Sequence, residues 1–323
     1  MARQKHITSD FSELETKDFE GSKVAVGFRP SCQLHVGNLV TIAYGAVIAD
    51  KLGMELELMC CDTDWSAHIH EHHRPENSEL MKLFFQRECP CGDHVNIAKH
   101  RVDEIRPFLK GLGEKLEVDI EPEYLTDLEG NQEYMEALRN VLTNMDVFDD
   151  IFGGGFRRRY DSPVVKVCSS CGFSYSKGSP YSEDTDELVS NCKNPDCEKG
   201  FAAGNLSGKI GVYYLVDPIR DPSRNIAVHV FGGDYRDASK GMKTSKIEKV
   251  AKITNLANGQ TPYYFLTPLV ADEKGKPLSK SKNTGKTVSE IKDLEKYGKN
   301  IVGKIEKWLE KGEKQYLDQH QLE

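Results

Sequence analysis

Two short segments hold residue types suited to handling a chain of phosphates. The first runs Arg29-Pro30-Ser31-Cys32-Gln33-Leu34-His35-Val36-Gly37-Asn38 and sets a histidine and a glycine two residues apart, between a strand-like run and a helix-like one. A helix N-terminus at that place turns unpaired backbone N–H groups and a positive dipole end toward an anion. Gly37 admits close approach to the backbone, and His35 can donate a hydrogen bond to an oxygen that gains charge during reaction. Taken alone, a surface histidine beside a helix cap explains the spacing equally well. The second segment, Gly275-Lys276-Pro277-Leu278-Ser279-Lys280-Ser281-Lys282-Asn283, is dense in Gly, Ser and Lys. Lys280 is a compact positive charge on a flexible stem, and a loop of this kind can close over a triphosphate and later release it. A solvent-exposed basic turn has the same composition. Together, however, the two segments suit a single bound triphosphate.

Further residues could hold a metal or an ammonium group. Cys168-x2-Cys171 and Cys192-x4-Cys197 match the paired spacing of a four-cysteine zinc ribbon. Four thiolates close the coordination sphere, so such a zinc would be structural. Cys89-x-Cys91-x2-His94, with His68, His70, His72 and His73 upstream, is a looser second candidate, tight for one tetrahedral ion. Asp62 and Asp64 follow a strand-like run, and Asp234 follows Gly232-Gly233. Carboxylates at strand ends can take a ribose hydroxyl, a substrate ammonium or magnesium, although capping and turn formation also use Asp.

Positioning these groups requires strands that end where they begin. Lys23 to Phe28 reads as a buried strand, Val36 to Leu52 as a helix stopped by Gly53, and Met54 to Cys61 as the next strand. That βαβ unit predicts an α/β chain with a Rossmann-type, doubly wound parallel sheet. Helices are expected over Asp93–Leu112, Asn131–Phe148 and Asp237–Ile253, and strands over Leu116–Ile120, Ile210–Asp217, Ile226–Phe231 and Tyr263–Val270. The composition shifts to Ser, Gly, Asp and Cys after Gly153-Gly154-Gly155. The expected organisation is therefore a first half-domain over 1–160, a zinc-ribbon insertion over 161–207, the second half with the Lys280 loop over 208–285, and a Lys-rich helical tail over 286–323.

Composition sets outer bounds. The chain has 323 residues, 38% hydrophobic and 29% charged, with a formal charge of −8. Wrapping nucleic acid by charge alone calls for a basic protein, so any such contact is expected to be local. Lys286 to Lys314 is rich in lysine and reads as a solvated helical face. No apolar run approaches the roughly 20 residues of a membrane span, and the polar start, Met1 to Asp18, lacks a signal-peptide core. The expected location is the cytoplasm, with nine cysteines serving as metal ligands or core thiols.

The two segments, in this order, resemble the signature motifs of class I aminoacyl-tRNA synthetases, written HIGH and KMSKS, and the chain is most similar to class I lysyl-tRNA synthetases. The likeness runs from Lys23 to Ile291 through Pro30-Ser31, His35 to Asn38, Asp62-x-Asp64, Cys91 to Leu125, the Cys-rich insertion, Val216-Asp217-Pro218 and Gly232-x-Asp234. It implies aminoacyl-adenylate formation from ATP, an amino acid and magnesium. By this resemblance Pro30, Ser31, His35, Gly37 and Asn38 would cradle ATP. Leu278, Ser279, Lys280 and Ser281 would hold the departing pyrophosphate. Gly232 and Asp234 would bind the ribose. Arg29, Cys32, Asp62, Asp64 and Tyr235 would border the amino acid. Catalysis would fall to His35, Asn38 and Lys280. The chain also departs from the family. Pro277 stands where the family has Lys, Arg29 and Cys32 stand in the family's Thr-Pro-Ser-Gly, and Tyr235 replaces a His of lysyl enzymes. Glutamyl-type or other amino acids therefore stay open. After Lys282 the sequence runs only to Glu323, where the family continues into a helical anticodon-binding domain. Such a chain is an excised catalytic part or a stand-alone paralogue. The acceptor is then tRNA, met at its acceptor end, or another molecule. A nucleotidyltransferase of the same superfamily and a non-catalytic binding module are the alternatives.

Overall fold

The computed structural model describes residues 6–30, 34–64, 80–82, 88–128, 130–175, 177–189, 197, 210–213, 215–236, 244–257, 261–271, 286–311 and 316–318. Six strands form the central sheet: β1 (Ile7–Thr8), β2 (Lys23–Phe28), β3 (Glu55–Cys60), β4 (Glu123–Tyr124), β5 (Ile226–Phe231) and β6 (Tyr263–Leu266). They lie in the order β1-β6-β5-β2-β3-β4, and every neighbouring pair is parallel. Parallel strands need long crossovers, and here the crossovers carry helices.

Alternation along β2 decides which face each residue serves. Val24, Val26 and Phe28 join a core built with helices α1 (Val36–Leu52), α2 (Ile97–Leu116) and α5 (Leu294–Glu310). On the opposite face, Met59, Phe231, Tyr264 and Leu266 pack with α3 (Gln132–Thr143) and α4 (Lys246–Leu256). The sheet is thus sandwiched by helices, a Rossmann-like arrangement.

Helix α1 is apolar nearly all round, because it lies against the sheet on one side and under α2 and α5 on others. The Lys-rich stretch expected as a solvated face holds α5, which buries Tyr297, Ile301, Val302 and Ile305. Its lysines are exposed or half-buried, and Lys299 pairs across to Glu114 of α2. A Cβ at Gly298 would collide with the backbone of Phe108 and Leu112, and one at Gly111 with that of Glu295, so glycines let α2 and α5 approach closely.

Several element boundaries differ from the sequence expectation. No strand forms over Leu116–Ile120. Helix α2 runs on to Leu116 and ends on Glu117 in the left-handed region at φ 59, with Val118 N–H donating to Gly113 C=O at 3.0 Å. The expected helix over Asn131–Phe148 divides at Asn144 into α3 and a short helix, Met145–Ile151. The run expected as a strand over Ile210–Asp217 is a strand only over Ile210–Val212, and Asp217–Arg220 is a 3-10 turn with Pro at its start. Pro268 splits the last expected strand into β6 and Leu269–Ala271. The expected helix from Asp237 begins at Lys246, and its earlier part lies outside the described residues.

Within the Cys-rich stretch the described pairs are antiparallel. Val164–Lys166 pairs with Ile210–Val212, Tyr181–Ser182 with Glu187–Leu188, and Phe173–Tyr175 with Leu80–Lys82. Among the described residues, no helix is long and apolar enough to cross a membrane.

Candidate active site

The chain leaves β2 for β3 and β4 on one side, then returns to place β5 and β6 on the other. The crevice at the carboxyl ends of β2 and β5 is therefore the topological switch point, where open parallel sheets bind their ligands. The first His-Gly segment follows β2, and Gly232-Gly233-Asp234 follows β5.

His35 is the N-cap of α1, with extended backbone at φ −120 and ψ 166. Its N–H donates to Asn38 Oδ1 at 3.2 Å, so Asn38 closes the cap. The imidazole lies over the first turn: a Cβ at Gly37 would sit 2.8 Å from His35 Cε1 and 2.9 Å from Nδ1. Glycine at 37 is what leaves room for the ring. One turn on, Thr41 Oγ1 donates to Gly37 C=O at 3.0 Å. The same hydroxyl oxygen stands 3.7 Å from where a Cβ of Gly232 would be, so the turn after β5 abuts the first turns of α1. Gly233 packs so closely on the next strand connection that its Cβ would lie 2.6 Å from Thr267 O. Asp234 is exposed and accepts from Lys246 Nζ at 3.0 Å, while the same ammonium lies 5.3 Å from the Tyr235 ring centre.

A third contact joins this site to the far segment. Val36 N–H donates to Lys286 C=O at 3.0 Å, Val288 N–H donates to Leu34 C=O at 2.9 Å, and His35 bridges Thr287 in antiparallel fashion. Residues 286–288 thus pair with residues 34–36, three positions after Asn283. Leu278, Ser279, Lys280 and Ser281 themselves lie outside the described residues, as do Ser31, Cys32 and Cys192.

Below the helix N-terminus, charged groups gather at the ends of β2 and β3. Arg29 Nε is 2.6 Å from Asp64 Oδ2. Burial works against the Arg29 charge, but Asp64, Tyr235, Asp217 and Cys61 together hold its pKa above the ordinary value. Asp62 turns elsewhere. It accepts from Thr126 N–H at 3.1 Å and Thr126 Oγ1 at 2.8 Å, and burial raises its pKa to about 6 against those bonds. Of the two strand-end aspartates, only Asp64 meets Arg29. Asp217, quoted above only within the Val216-Asp217-Pro218 likeness and given no site role, and Arg220, which sequence reading did not single out, sit buried on the 3-10 turn beside this pair. Burial, with Asp64 nearby, pushes the Asp217 carboxyl well above the carboxylate range.

Among the described residues, two side-chain groups could hold a metal ion. Cys168, Cys171 and Cys197 bring one ligand atom each within 4.8 Å of one another. A second group joins Cys89, Cys91 and His94 to His100, within the same 4.8 Å limit. Cys89 Sγ is 3.1 Å from His100 Nδ1, Cys91 Sγ is 3.1 Å from His94 Nδ1, and the two sulfurs are 3.0 Å apart. The remaining ring nitrogens meet carboxylates: His94 Nε2 lies 3.2 Å from Asp103, and His100 Nε2 lies 3.3 Å from Glu104. Carboxylates so placed orient imidazoles that ligate metal through the other nitrogen. Hydrogen bonds from Cys89 and then His94 lower the Cys91 thiol to about 6. His100 escaped the motif reading because it stands inside a helix, and α2 begins at Ile97, early enough to swing it back over the loop.

Comparison with known proteins bears on what this crevice is for. Residues 5–300 match the model of the family described as tRNA synthetases class I (K). Lysine--tRNA ligase 1 of Methanosarcina acetivorans is 25% identical over 288 residues, which are 84% of this chain and 50% of that protein. The chain therefore spans about half the length of this curated relative. Among solved structures, a tyrosyl-tRNA synthetase complexed with L-tyrosine from Archaeoglobus fulgidus aligns over 85% of this chain and 62% of its own, at 13% identity and TM-score 0.43. A tryptophanyl-tRNA synthetase from Campylobacter jejuni aligns over 82% and 60%, at 14% identity and TM-score 0.36. With the family model covering nearly the whole sequence, the chain belongs to the class I (K) tRNA synthetases.

Proposed function

We propose that this chain activates an amino acid with ATP, forming an aminoacyl adenylate and pyrophosphate at the β2–β5 crevice. One observation carries the reading: three segments distant in sequence, 34–41, 232–234 and 286–288, converge on the N-terminus of one helix at the switch point. Pro30, Ser31, His35, Gly37 and Asn38 receive the triphosphate, with His35 donating to the α-phosphate as charge grows there. Gly232 and Asp234 take the ribose, the Asp234 carboxylate releasing Lys246 to do so. Leu278, Ser279, Lys280 and Ser281 close over the leaving pyrophosphate, carried there by a segment whose base is paired with residues 34–36. Magnesium, when bound, neutralises triphosphate charge. Catalysis of this type is mainly positioning and charge stabilisation, which suits a site of backbone amides, a histidine and a lysine.

Structural zinc completes the proposal. Cys168, Cys171, Cys192 and Cys197 would hold one ion, and Cys89, Cys91, His94 and His100 have the donor set and outer carboxylates for another. The acceptor of the activated amino acid is tRNA at its acceptor end or another nucleophile.

The test is amino-acid-dependent exchange of labelled pyrophosphate into ATP, across all amino acids, with and without bulk tRNA. Folded protein that supports exchange with none of them refutes the proposal. Release of AMP with a non-amino-acid substrate would instead mark a nucleotidyltransferase.

A further inference from the structure

The turn after β5 leans on a short strand that a later segment of the chain completes. Leu269–Ala271 runs parallel to Tyr316–Asp318, with Leu269 opposite Tyr316, Val270 opposite Leu317 and Ala271 opposite Asp318. Among the described residues these two strands make a sheet of their own, apart from the central one. Leu269 also meets the turn itself. A Cβ at Gly233 would lie 2.7 Å from Leu269 N and 3.0 Å from Leu269 Cα, beside the 2.6 Å to Thr267 O. Two hydrogen bonds tie the same stretch to β5 and its turn. Thr267 N–H donates to Phe231 C=O at 3.0 Å, and Arg236 Nη2 donates to Leu266 C=O at 3.4 Å. Val270 sits in the core shared with α1, which fixes the depth of the short strand. Its position along its own axis is left to the ladder with 316–318, because backbone pairing sets register.

We propose that Tyr316–Asp318 is a positioning element for the nucleotide. By fixing the register of Leu269–Ala271 it sets the height of the Gly232-Gly233-Asp234 turn, and with it the place of the Asp234 carboxylate. The inference rests on the reading of that turn as the ribose site. Transmission is direct: at Gly233 backbone meets backbone, with no side chain between them to absorb a shift, and packed interiors pass strain on. A misplacement of about 1 Å at a positioning group can cost on the order of 100-fold. Arg29, Asp62 and Asp64 follow β2 and β3, on the opposite side of β5 from β6. The effect of the ladder therefore falls on ATP and spares the amino acid.

Titration of the full chain with α,β-methylene-ATP, which reports binding without reaction, tests the assignment beside pyrophosphate exchange at varied ATP and varied amino acid. Leu317→Pro/Asp318→Pro removes an N–H from both alternations of the strand, so the ladder loses a donor whichever residue points inward. The double variant should bind the analogue about 10- to 100-fold more weakly and raise KM for ATP by the same factor. KM for the amino acid should stay unchanged and the cooperative melt should remain. Leu317→Val keeps the N–H and favours extended backbone, so it should match wild type. A chain ending at Lys311 should repeat the proline result. Unchanged analogue affinity in the proline variant overturns the inference, as does an equal rise in both KM values. Loss of the cooperative melt in both the proline variant and the shortened chain also overturns it, because the strand would then support the whole fold and not one turn. A wild-type chain that binds the analogue but exchanges with no amino acid sinks the activation reading alone, provided the proline variant still loses affinity. Failure of the wild-type chain to bind the analogue overturns both.

Discussion

Gly37→Ala separates the proposed chemistry of the His35 turn from its folding. A methyl group at 37 would arrive 2.8 Å from Cε1 and 2.9 Å from Nδ1 of His35, inside contact distance of the ring. The ring is the far end of a rotatable side chain, so it swings off the turn and the backbone stays. In a helix, alanine is favoured over glycine by up to about 1 kcal/mol, so the melting temperature should hold or rise slightly. The loss should fall on the reaction. Displacing one preorganised donor to a developing anion costs about 2.7–4 kcal/mol, or roughly 100- to 1,000-fold in kcat. Pyrophosphate exchange beside a thermal melt measures both. His35→Ala should fall by a similar factor, and Gly37→Ala/His35→Ala by no more than His35→Ala alone, because the same interaction is lost only once. Exchange by Gly37→Ala within threefold of wild type would refute the assignment of His35. Additive losses in the double variant would do so as well.

Asp62→Asn tests a pH-dependent element of stability. The folded-state pKa of Asp62 is raised to about 6, so the folded chain holds that proton more tightly than the unfolded one. The associated stability is present below about pH 4 and lost as pH rises past 6, a swing of up to about 3 kcal/mol. Denaturant melts at about pH 4 and about pH 7.5 should show wild type losing this increment relative to the Asn variant, and equal slopes would contradict it. Metal analysis of the purified chain should find zinc at both clusters. Cys89→Ser should cost one equivalent and Cys168→Ser the other, each with a lower melting temperature, since structural zinc binding is itself folding free energy. Lys280→Ala should lower exchange by about 100-fold or more, with the melting temperature unchanged. A variant that keeps full exchange would remove Lys280 from the pyrophosphate role.

The sequence was most legible where local rules and global fold agree. Strand β2 and helix α1 stood out because β-branched alternation gives way to a continuous apolar helix closed by Gly53. Strand β5 was equally plain, as a β-branched and aromatic run between Asn225 and the Gly232-Gly233 pair. Legibility failed where long-range contacts decide the outcome. Whether Leu116–Ile120 extends a helix or starts a strand depends on a left-handed Glu117 that no composition rule marks. The insertion's strands are so short that only their partners define them, and for Phe173–Tyr175 the partner is Leu80–Lys82, far back in the chain. In the site, the His-Gly and Lys-rich segments could be read as a pair, but their physical link through Lys286, Thr287 and Val288 could not, because backbone hydrogen bonds leave no trace in side-chain type. Asp217 stood out only as part of the Val216-Asp217-Pro218 likeness, with no role attached, and Arg220 was invisible for a related reason: buried charge is rare, and a sequence reads charge as surface.

The pairing of residues 286–288 with 34–36 also has consequences for how this chain can be cut and rebuilt. Helix α5 follows that pairing within a few residues and is held against α2 through the glycines at 111 and 298. A fragment ending at 285 would retain every strand of the central sheet and both signature segments. It would still leave Val36 N–H and Leu34 C=O with no backbone partner, at the one turn where the chemistry is proposed. Residues 286–288 thus clamp the turn at which the chemistry is proposed, and a piece of this chain meant to keep that turn paired has to extend at least through Val288.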